Sequence, residues 1–376
     1  WLDAYDAKRA EAKTDFIKRM KAEAKANHQN VMVYAMGKSM PEPNYQIPLE
    51  GQGDVAIYVL SRISGEGNDR PVEEGEIKLS ATEKRDILAL NEKYDKFMLV
   101  LNVGGVVDLS DVTEVKNILV LSQLGVDTGT ALVDILLGRQ NPSGKLATTW
   151  AAWDQYAPMD DFEDINDTRY QEGIYVGYKY YETAADDMNA ENPGSGDEWY
   201  DSQVLYPYGY GLSYTSFKWE VTGRSPGQGT TVGRKTDFSI RVKVTNTGKV
   251  AGRDVVQLYC TPPYSKGGIE KSAAVLVAYE KTRLLKPGET QEISLSFSMD
   301  DVASYDFDDA DGDGFAGYEL ERGEYTVELR RDAHTVADCE FASTMLWIPR
   351  TIQCPDDIKT GAAVQNRFTG DSAWDG

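Results

Sequence analysis

Residues 61–70, SRISGEGNDR, follow the apolar run DVAIYVL (Asp54 to Leu60) and set Glu66 between Gly65 and Gly67. Glycine opens backbone angles closed to other residues and leaves room for another molecule to approach. A carboxylate on such a loop is either a solvated turn residue or a reagent. Arg62, Ser64, Asp69 and Arg70 surround it. A second acidic constellation is DADGDG, with Asp309, Asp311 and Asp313 in the Asp-x-Asp-x-Asp-Gly opening of a calcium loop. Such a loop closes on a bidentate Glu at its twelfth position. Here that position is Leu320, flanked by Glu319 and Glu321. A structural calcium ion and a plain acidic hairpin tip are the competing readings.

Two further stretches invite chemistry and have simpler explanations. YQEGIYVGYKYYET (Tyr170 to Thr183) interleaves tyrosines with Glu172 and Lys179. Such rings can form a platform under a sugar, but they more often pack domains together. NPSGK (Asn141 to Lys145) lacks the GxxxxGK(S/T) spacing of a phosphate loop and precedes an expected strand. The only histidines are His28 and His334, and the three cysteines, Cys260, Cys339 and Cys354, form no CxxC pair. A Ser-His-Asp triad, a histidine metal site and a disulfide framework are therefore poor expectations. Any reaction falls to carboxylates, and no cofactor is required.

The elements that must position these groups fall into two kinds. Residues 5–26 are rich in Ala, Lys, Glu and Arg without Gly or Pro, which predicts a helix. Residues 37–53 are broken by glycine and proline. Then apolar runs alternate with helical patterns. The runs are DVAIYVL, KFMLVLNV (Lys96 to Val103), NILVLS (Asn117 to Ser122) and GKLATTW (Gly144 to Trp150). Between them, Ser80 and Glu83 form a capping box opening one helix, and Asp127–Gly138 reads as another ended by glycine. That order predicts a parallel sheet covered on both faces, with ligands beyond the carboxyl ends of its strands. Glu66 follows such an end.

From about residue 216 the period changes to two. Phe238, Ile240, Val242 and Val244 alternate with polar residues, as do Ile293, Leu295, Phe297 and Met299, and Tyr325, Val327 and Leu329. Short alternating strands without helices predict a β-sandwich. The acidic insertion ADDMNAENPGSGDEWYDS in the Tyr-rich connection reads as an exposed loop. The expected fold class is thus α/β plus all-β. The expected domains are an α/β domain at 1–215, a β-sandwich at 216–346, and a linker at 347–376. The chain opens on Trp1 rather than Met, and its last stretch has no period, so it reads as a piece of a longer polypeptide.

With 376 residues and 41% apolar content, two or three cores are available. No apolar run is long enough to span a membrane. A net charge of −22 disfavours nucleic acid and anionic lipid as partners. The compartment, cytoplasmic or secreted, and the choice between monomer and homo-oligomer stay open.

Several motifs then occur in order: ISGEGNDR, VLNVGGVVD, DILLGRQNPSGKLATTW, YQEGIYVGYKYYET, LYPYGYGLSYTSF, VTNTGKVAGRDVVQLY and KTRLLKPGETQEISLSF. This series resembles the β-glucosidases of glycoside hydrolase family 3, over roughly residues 50–346. The resemblance implies an α/β sandwich domain and a fibronectin type III-like domain. In the family these are paired with a (β/α)8 barrel that carries an aspartate nucleophile. Some members place the barrel after the fibronectin-like domain, which the tail beyond Ile352 would suit.

The family's general acid/base is a glutamate on the loop matching SGEG, which by that match is Glu66. Arg62, Ser64, Asp69 and Arg70 are then supporting or substrate-binding residues. A retaining mechanism follows, in which the two carboxyl groups stand about 5–5.5 Å apart. Burial and the neighbouring nucleophile would raise the acid's pKa. The substrate implied is a β-glucoside or oligosaccharide, and the fragment alone would be inactive. A β-xylosidase or other exo-glycosidase of the same family is the alternative. A non-catalytic carbohydrate-binding or scaffolding protein is the rival of another class. One departure stands out. Many members have a Trp and then GQE where this chain reads LSQLGVDTG, so Ser122 takes the Trp position, Val126 the Gln and Asp127 the Glu. The wall of the aglycone site and the leaving-group preference are open there. DADGDGFAG looks like an elaboration of a fibronectin-domain hairpin, and no family role passes to it.

Overall fold

The computed structural model describes residues 2–36, 38, 40, 46, 48–62, 70–155 and 172–365. The described residues divide into two compact units. One is formed by residues up to Leu137 together with the stretch from Trp150, the other by Gly138–Thr149 and the residues from 172 onward.

The first unit holds a three-stranded parallel sheet of Ala56–Ser61, Phe97–Asn102 and Ile118–Val120, in that spatial order. Leu60 pairs with Leu101 and Val100 with Leu119, so all three carboxyl ends lie along one edge. The central strand is the buried one: Leu99, Val100 and Leu101 are fully covered. Cover is incomplete on the edge strand, where Ile57 and Val59 are exposed. The helix Ala81–Lys93 starts on the expected capping box, with Ser80 Oγ accepting from the Glu83 amide and Glu83 Oε2 from the Ser80 amide. A long helix, Leu2–Ala26, and a short one, Thr128–Leu136, complete the predicted set. Gly138 has φ 68, the left-handed turn that ends the short helix.

The expected final strand Gly144–Trp150 is corrected. Only Trp150–Ala151 is extended in a ladder. Residues 144–149 are held instead by the Tyr/Gly-rich stretch of the second unit. The Leu146 amide donates to the Tyr210 carbonyl (2.8 Å), the Gly209 amide to the Leu146 carbonyl (2.8 Å), and Lys145 Nζ to the Gly211 carbonyl (2.6 Å). A side chain on Gly211 would stand 2.3 Å from the Gly144 carbonyl oxygen, so the two backbones could not meet there without glycine.

The second unit is a β-sandwich. One sheet runs Val275–Lys281, Val255–Thr261, Gly323–Arg330, Ser343–Ile348 and Thr230–Thr231, and the other Thr290–Ser298, Asp237–Asn246 and Phe217–Ser225. Its core contains the period-two residues read from sequence: Phe238, Ile240, Val242, Val244, Ile293, Leu295, Phe297, Tyr325, Val327 and Leu329. A small third sheet orders Ser304–Asp306, Gly317–Leu320 and Ile352–Cys354. Its last strand lies in the stretch expected to be a linker from residue 347.

The acidic insertion is not a loop. It lies in two helices, Tyr178–Glu191 and Ser195–Gln203. Tyr181, Ala185 and Tyr200 are buried. Asn189 Oδ1 accepts from the Gly194 and Gly196 amides and so supplies the missing cap of the second helix. Of the tyrosines expected either to meet a sugar or to pack, Tyr170 lies outside the described residues and Tyr178 is packed; Tyr200, beyond that stretch, is packed as well. Tyr178 stacks on Tyr208 (centroids 4.7 Å) and meets Tyr259 edge-on (6.1 Å), and Tyr200 stacks on His334 (3.8 Å).

Candidate functional site

Arg62, the first of the site residues expected from sequence, directly follows the edge strand Ala56–Ser61 of the parallel sheet. Ser64, Glu66 and Asp69 fall in 63–69, outside the described residues. Arg62 and Arg70, on either side of that segment, are described, and the structure brings them together. The Arg62 amide donates to the Asn102 carbonyl (3.1 Å) and continues the ladder one residue past the strand. Its side chain, 6% exposed, then turns inward. Nη1 and Nη2 meet the two carboxylate oxygens of Glu83 at 2.8 Å each, and Nε donates to the Glu76 carbonyl at 2.6 Å. Arg70 Nη2 donates to that same carbonyl (3.1 Å), and its Nη1 to the Val106 carbonyl (2.7 Å). The Glu76 carboxylate lies 3.7 Å from Arg70 Nε. Burial pulls Arg70 below the usual guanidinium value, with Glu76 opposing and Arg62 adding to the shift.

Two guanidiniums thus share one backbone oxygen and are matched by two carboxylates. The formal charges of the frame balance. Glu83 serves both as helix cap and as Arg62's partner. The capping box was legible in the sequence, whereas the arginine contact depends on the strand end meeting the helix start in space.

Ser122, Val126 and Asp127 follow the carboxyl end of the third strand, two strands from Arg62. At a strand spacing of about 4.8 Å, that puts the two strand ends about 10 Å apart. Ser122 has φ 57, a left-handed conformation unusual for a residue with a side chain. Val126 is wholly exposed. Asn141 and Lys145, from the phosphate-loop lookalike, are structural: Asn141 Oδ1 accepts from the Tyr214 amide (2.8 Å) and its Nδ2 donates to the Ala251 carbonyl (3.0 Å).

The acidic constellation lies elsewhere, in the second unit. Oxygens of Asp306, Asp309 and Asp311 lie within 4.8 Å of one another, and so do oxygens of Asp311, Asp313 and Glu319. Asp306 and Glu319 are added by the fold to the three aspartates expected from sequence. Burial, and then Asp313, Asp311, Asp306 and Asp309, push Glu319 up to about 7. Nearby Lys271, also buried, is pulled down to about 8 by burial.

With this geometry in view, comparison with known proteins is informative. Residues 3–178 match the glycosyl hydrolase family 3 C-terminal domain, and residues 254–333 match a fibronectin type III-like domain. The chain belongs to glycoside hydrolase family 3. It is 38% identical over 307 residues to β-glucosidase A of Butyrivibrio fibrisolvens, covering 72% of this chain and 35% of that protein. To a β-glucosidase of Ruminococcus albus it is 34% identical over 296 residues, covering 78% and 28%. The structure of β-glucosidase 3B from Thermotoga neapolitana, in complex with α-D-glucose, superposes with a TM-score of 0.66 at 30% identity, covering 91% of this chain and 44% of that one. The chain therefore spans about a third of the length of these curated relatives. Among the described residues there is an α/β domain and a β-sandwich but no (β/α)8 barrel, and no helix long and apolar enough to cross a membrane.

Proposed function

We propose that this family 3 chain supplies the general acid/base of a retaining, exo-acting β-glucosidase, and that Glu66 is that residue. The supporting observation is the frame: a glycine-flanked carboxylate segment follows the carboxyl end of an edge strand, between two arginines fixed on one carbonyl. Such a frame fixes Arg62 and Arg70, the described residues on either side of 63–69. The frame arginines are already matched by Glu76 and Glu83. They therefore leave the acid's pKa to be set by burial and by the nucleophile opposite, both of which raise it.

The nucleophile belongs to a (β/α)8 barrel partner. It attacks the anomeric carbon of a terminal β-glucosyl residue while Glu66 gives a proton to the departing oxygen. A glycosyl-enzyme forms. Glu66, now ionised, takes a proton from water, and that water releases the sugar with its configuration retained. The chain alone supplies half of the carboxylate pair and is inactive.

The test joins this chain to a family 3 barrel and compares Glu66→Gln and Glu66→Ala with the parent. Cellobiose hydrolysis should fall about 10²–10⁴-fold, the range of general acid/base contributions. For an aryl glucoside with a good leaving group the first step should suffer far less. In Glu66→Ala, azide, which needs no deprotonation, should restore turnover and leave a β-glucosyl azide. Full cellobiose activity in Glu66→Gln would refute the assignment and favour a binding or scaffolding role. Faster turnover of a β-xyloside than of a β-glucoside would move the substrate class within the family.

A further inference from the structure

The small third sheet explains why a buried acid faces an acidic loop. In its antiparallel register Ser304 stands opposite Glu319, Glu319 opposite Gln353, and Asp306 opposite Gly317. Side chains two residues apart share a face. Asp306, Glu319 and Gln353 therefore project to one side of the sheet. The connection between the first two strands, which carries Asp309, Asp311 and Asp313, belongs to the same hairpin. Gln353 Nε2 ties it down by donating to Asp313 Oδ2 (2.9 Å). Leu320, the residue at the twelfth loop position, faces the sandwich core instead. The loop exits into a strand rather than a helix, so its closing carboxylate comes one position early, at Glu319.

Glu319 is the observation that the acidic loop by itself does not supply. Its exposure is 0%, and neither carboxylate oxygen accepts a hydrogen bond from any described residue. Asp306, at 1%, is in the same position at Oδ2, while its Oδ1 takes the Asp308 and Ala310 amides. The nearby ammonium of Lys271 is engaged by Glu321 and by the Ile269 carbonyl (3.0 Å). A buried, unpartnered carboxylate among four others is costly to ionise. A cation bound between them would add an attraction to each carboxylate and offset their mutual repulsion.

We propose that Asp306, Asp309, Asp311, Asp313 and Glu319 hold a calcium ion, with Asp311 common to both halves of the site. Within each triad, Asp306/Asp309/Asp311 and Asp311/Asp313/Glu319, the oxygens lie within 4.8 Å of one another, about twice a calcium–oxygen bond, so the oxygens of a triad can converge on one ion. An all-oxygen, carboxylate-rich set suits calcium, which takes six to eight such ligands flexibly. Magnesium demands a tight octahedron and keeps its waters. The ion cross-links the hairpin connection to the central strand of the third sheet, so its role is to fix this corner of the second unit.

The test uses the full chain stripped with a chelator. Calcium titrated by calorimetry should bind with a dissociation constant on the order of 10⁻⁶–10⁻³ M and raise the thermal midpoint. Magnesium should do so at least tenfold more weakly. Asp311→Asn and Glu319→Gln should each weaken calcium binding at least tenfold, while exposed Glu340→Gln should leave it unchanged. Glu319→Gln also gives a crossing that a purely structural glutamate would not. Without calcium the variant should melt higher than the parent, because a repulsive buried charge is gone. With calcium it should melt lower, because a ligand is gone. No calcium response up to millimolar concentration, an equal response to magnesium, or parent-like binding by Glu319→Gln would each overturn the proposal.

Discussion

At the scale of single residues, the anchor of the candidate acid/base segment is Arg62. Its guanidinium is buried and bidentate to Glu83. Arg62→Met leaves the Glu83 carboxylate partly buried without its partner, which costs about 3–5 kcal/mol. Glu83→Gln in the same chain should recover part of that loss, since a neutral amide can be left without a cation. Denaturant unfolding of the two single variants and the double variant measures the coupling; strict additivity would show that the pair does not act as a unit. His334 is, beside Glu319 and Lys271, a residue whose protonation the fold shifts. The Glu182 carboxylate, 3.1 Å from Nδ1, holds the His334 pKa above the usual imidazole value, with burial opposing and Asp332 reinforcing. A histidine whose folded pKa is raised stabilises the fold fully below its unfolded pKa of about 6.5 and loses that contribution as pH rises through the raised value. The thermal midpoint should therefore fall more between pH 6 and 8.5 in the parent than in Glu182→Gln. Parallel pH profiles would exclude this pair as the cause.

At the scale of elements, the helical hairpin Tyr178–Glu191 and Ser195–Gln203 rests on one close approach. A Cβ on Gly196 would stand 1.9 Å from the Ala185 carbonyl oxygen and 2.8 Å from Asn189 Cγ. Gly196→Ala must push the helices apart and disturb the cap made by Asn189, at a cost of about 3 kcal/mol, the upper end of overpacking penalties. Gly129, exposed in the helix Thr128–Leu136, has nothing within 4 Å of its virtual Cβ. Gly129→Ala should gain about 0.5–1 kcal/mol from reduced backbone entropy in the unfolded chain. Limited proteolysis at the hairpin together with thermal melting distinguishes the two, because the same substitution is expected to act with opposite sign.

At the scale of the whole molecule, the chain has two compact units with different periods in their sequence and different reasons for stability. The first buries a short parallel sheet along its central strand, and the second closes a sandwich core. Both belong to a family whose curated relatives here are about three times as long as the matched portion. The proposed catalytic role would need a barrel partner, and the isolated chain is expected to hydrolyse no β-glucoside in an activity assay. The net charge of −22 disfavours polyanionic partners.

Local sequence determined what depends on neighbours within a few residues. Period-two alternation placed Phe238, Ile240, Val242 and Val244 in a sandwich core, and the Ser80–Glu83 box started a helix, because pleat and cap are local geometry. It did not determine where distant segments meet. The Gly144–Thr149 stretch gave up its expected strand to bond with residues 209–211, and the acidic insertion became a helical hairpin through a cap and a glycine contact invisible to its composition. Glu83 gained Arg62, and Glu319 gained Asp306 and the hairpin aspartates, only when strands and helices came together in space. Side-chain partners of this kind are fixed by register and packing, which no spacing along the chain encodes.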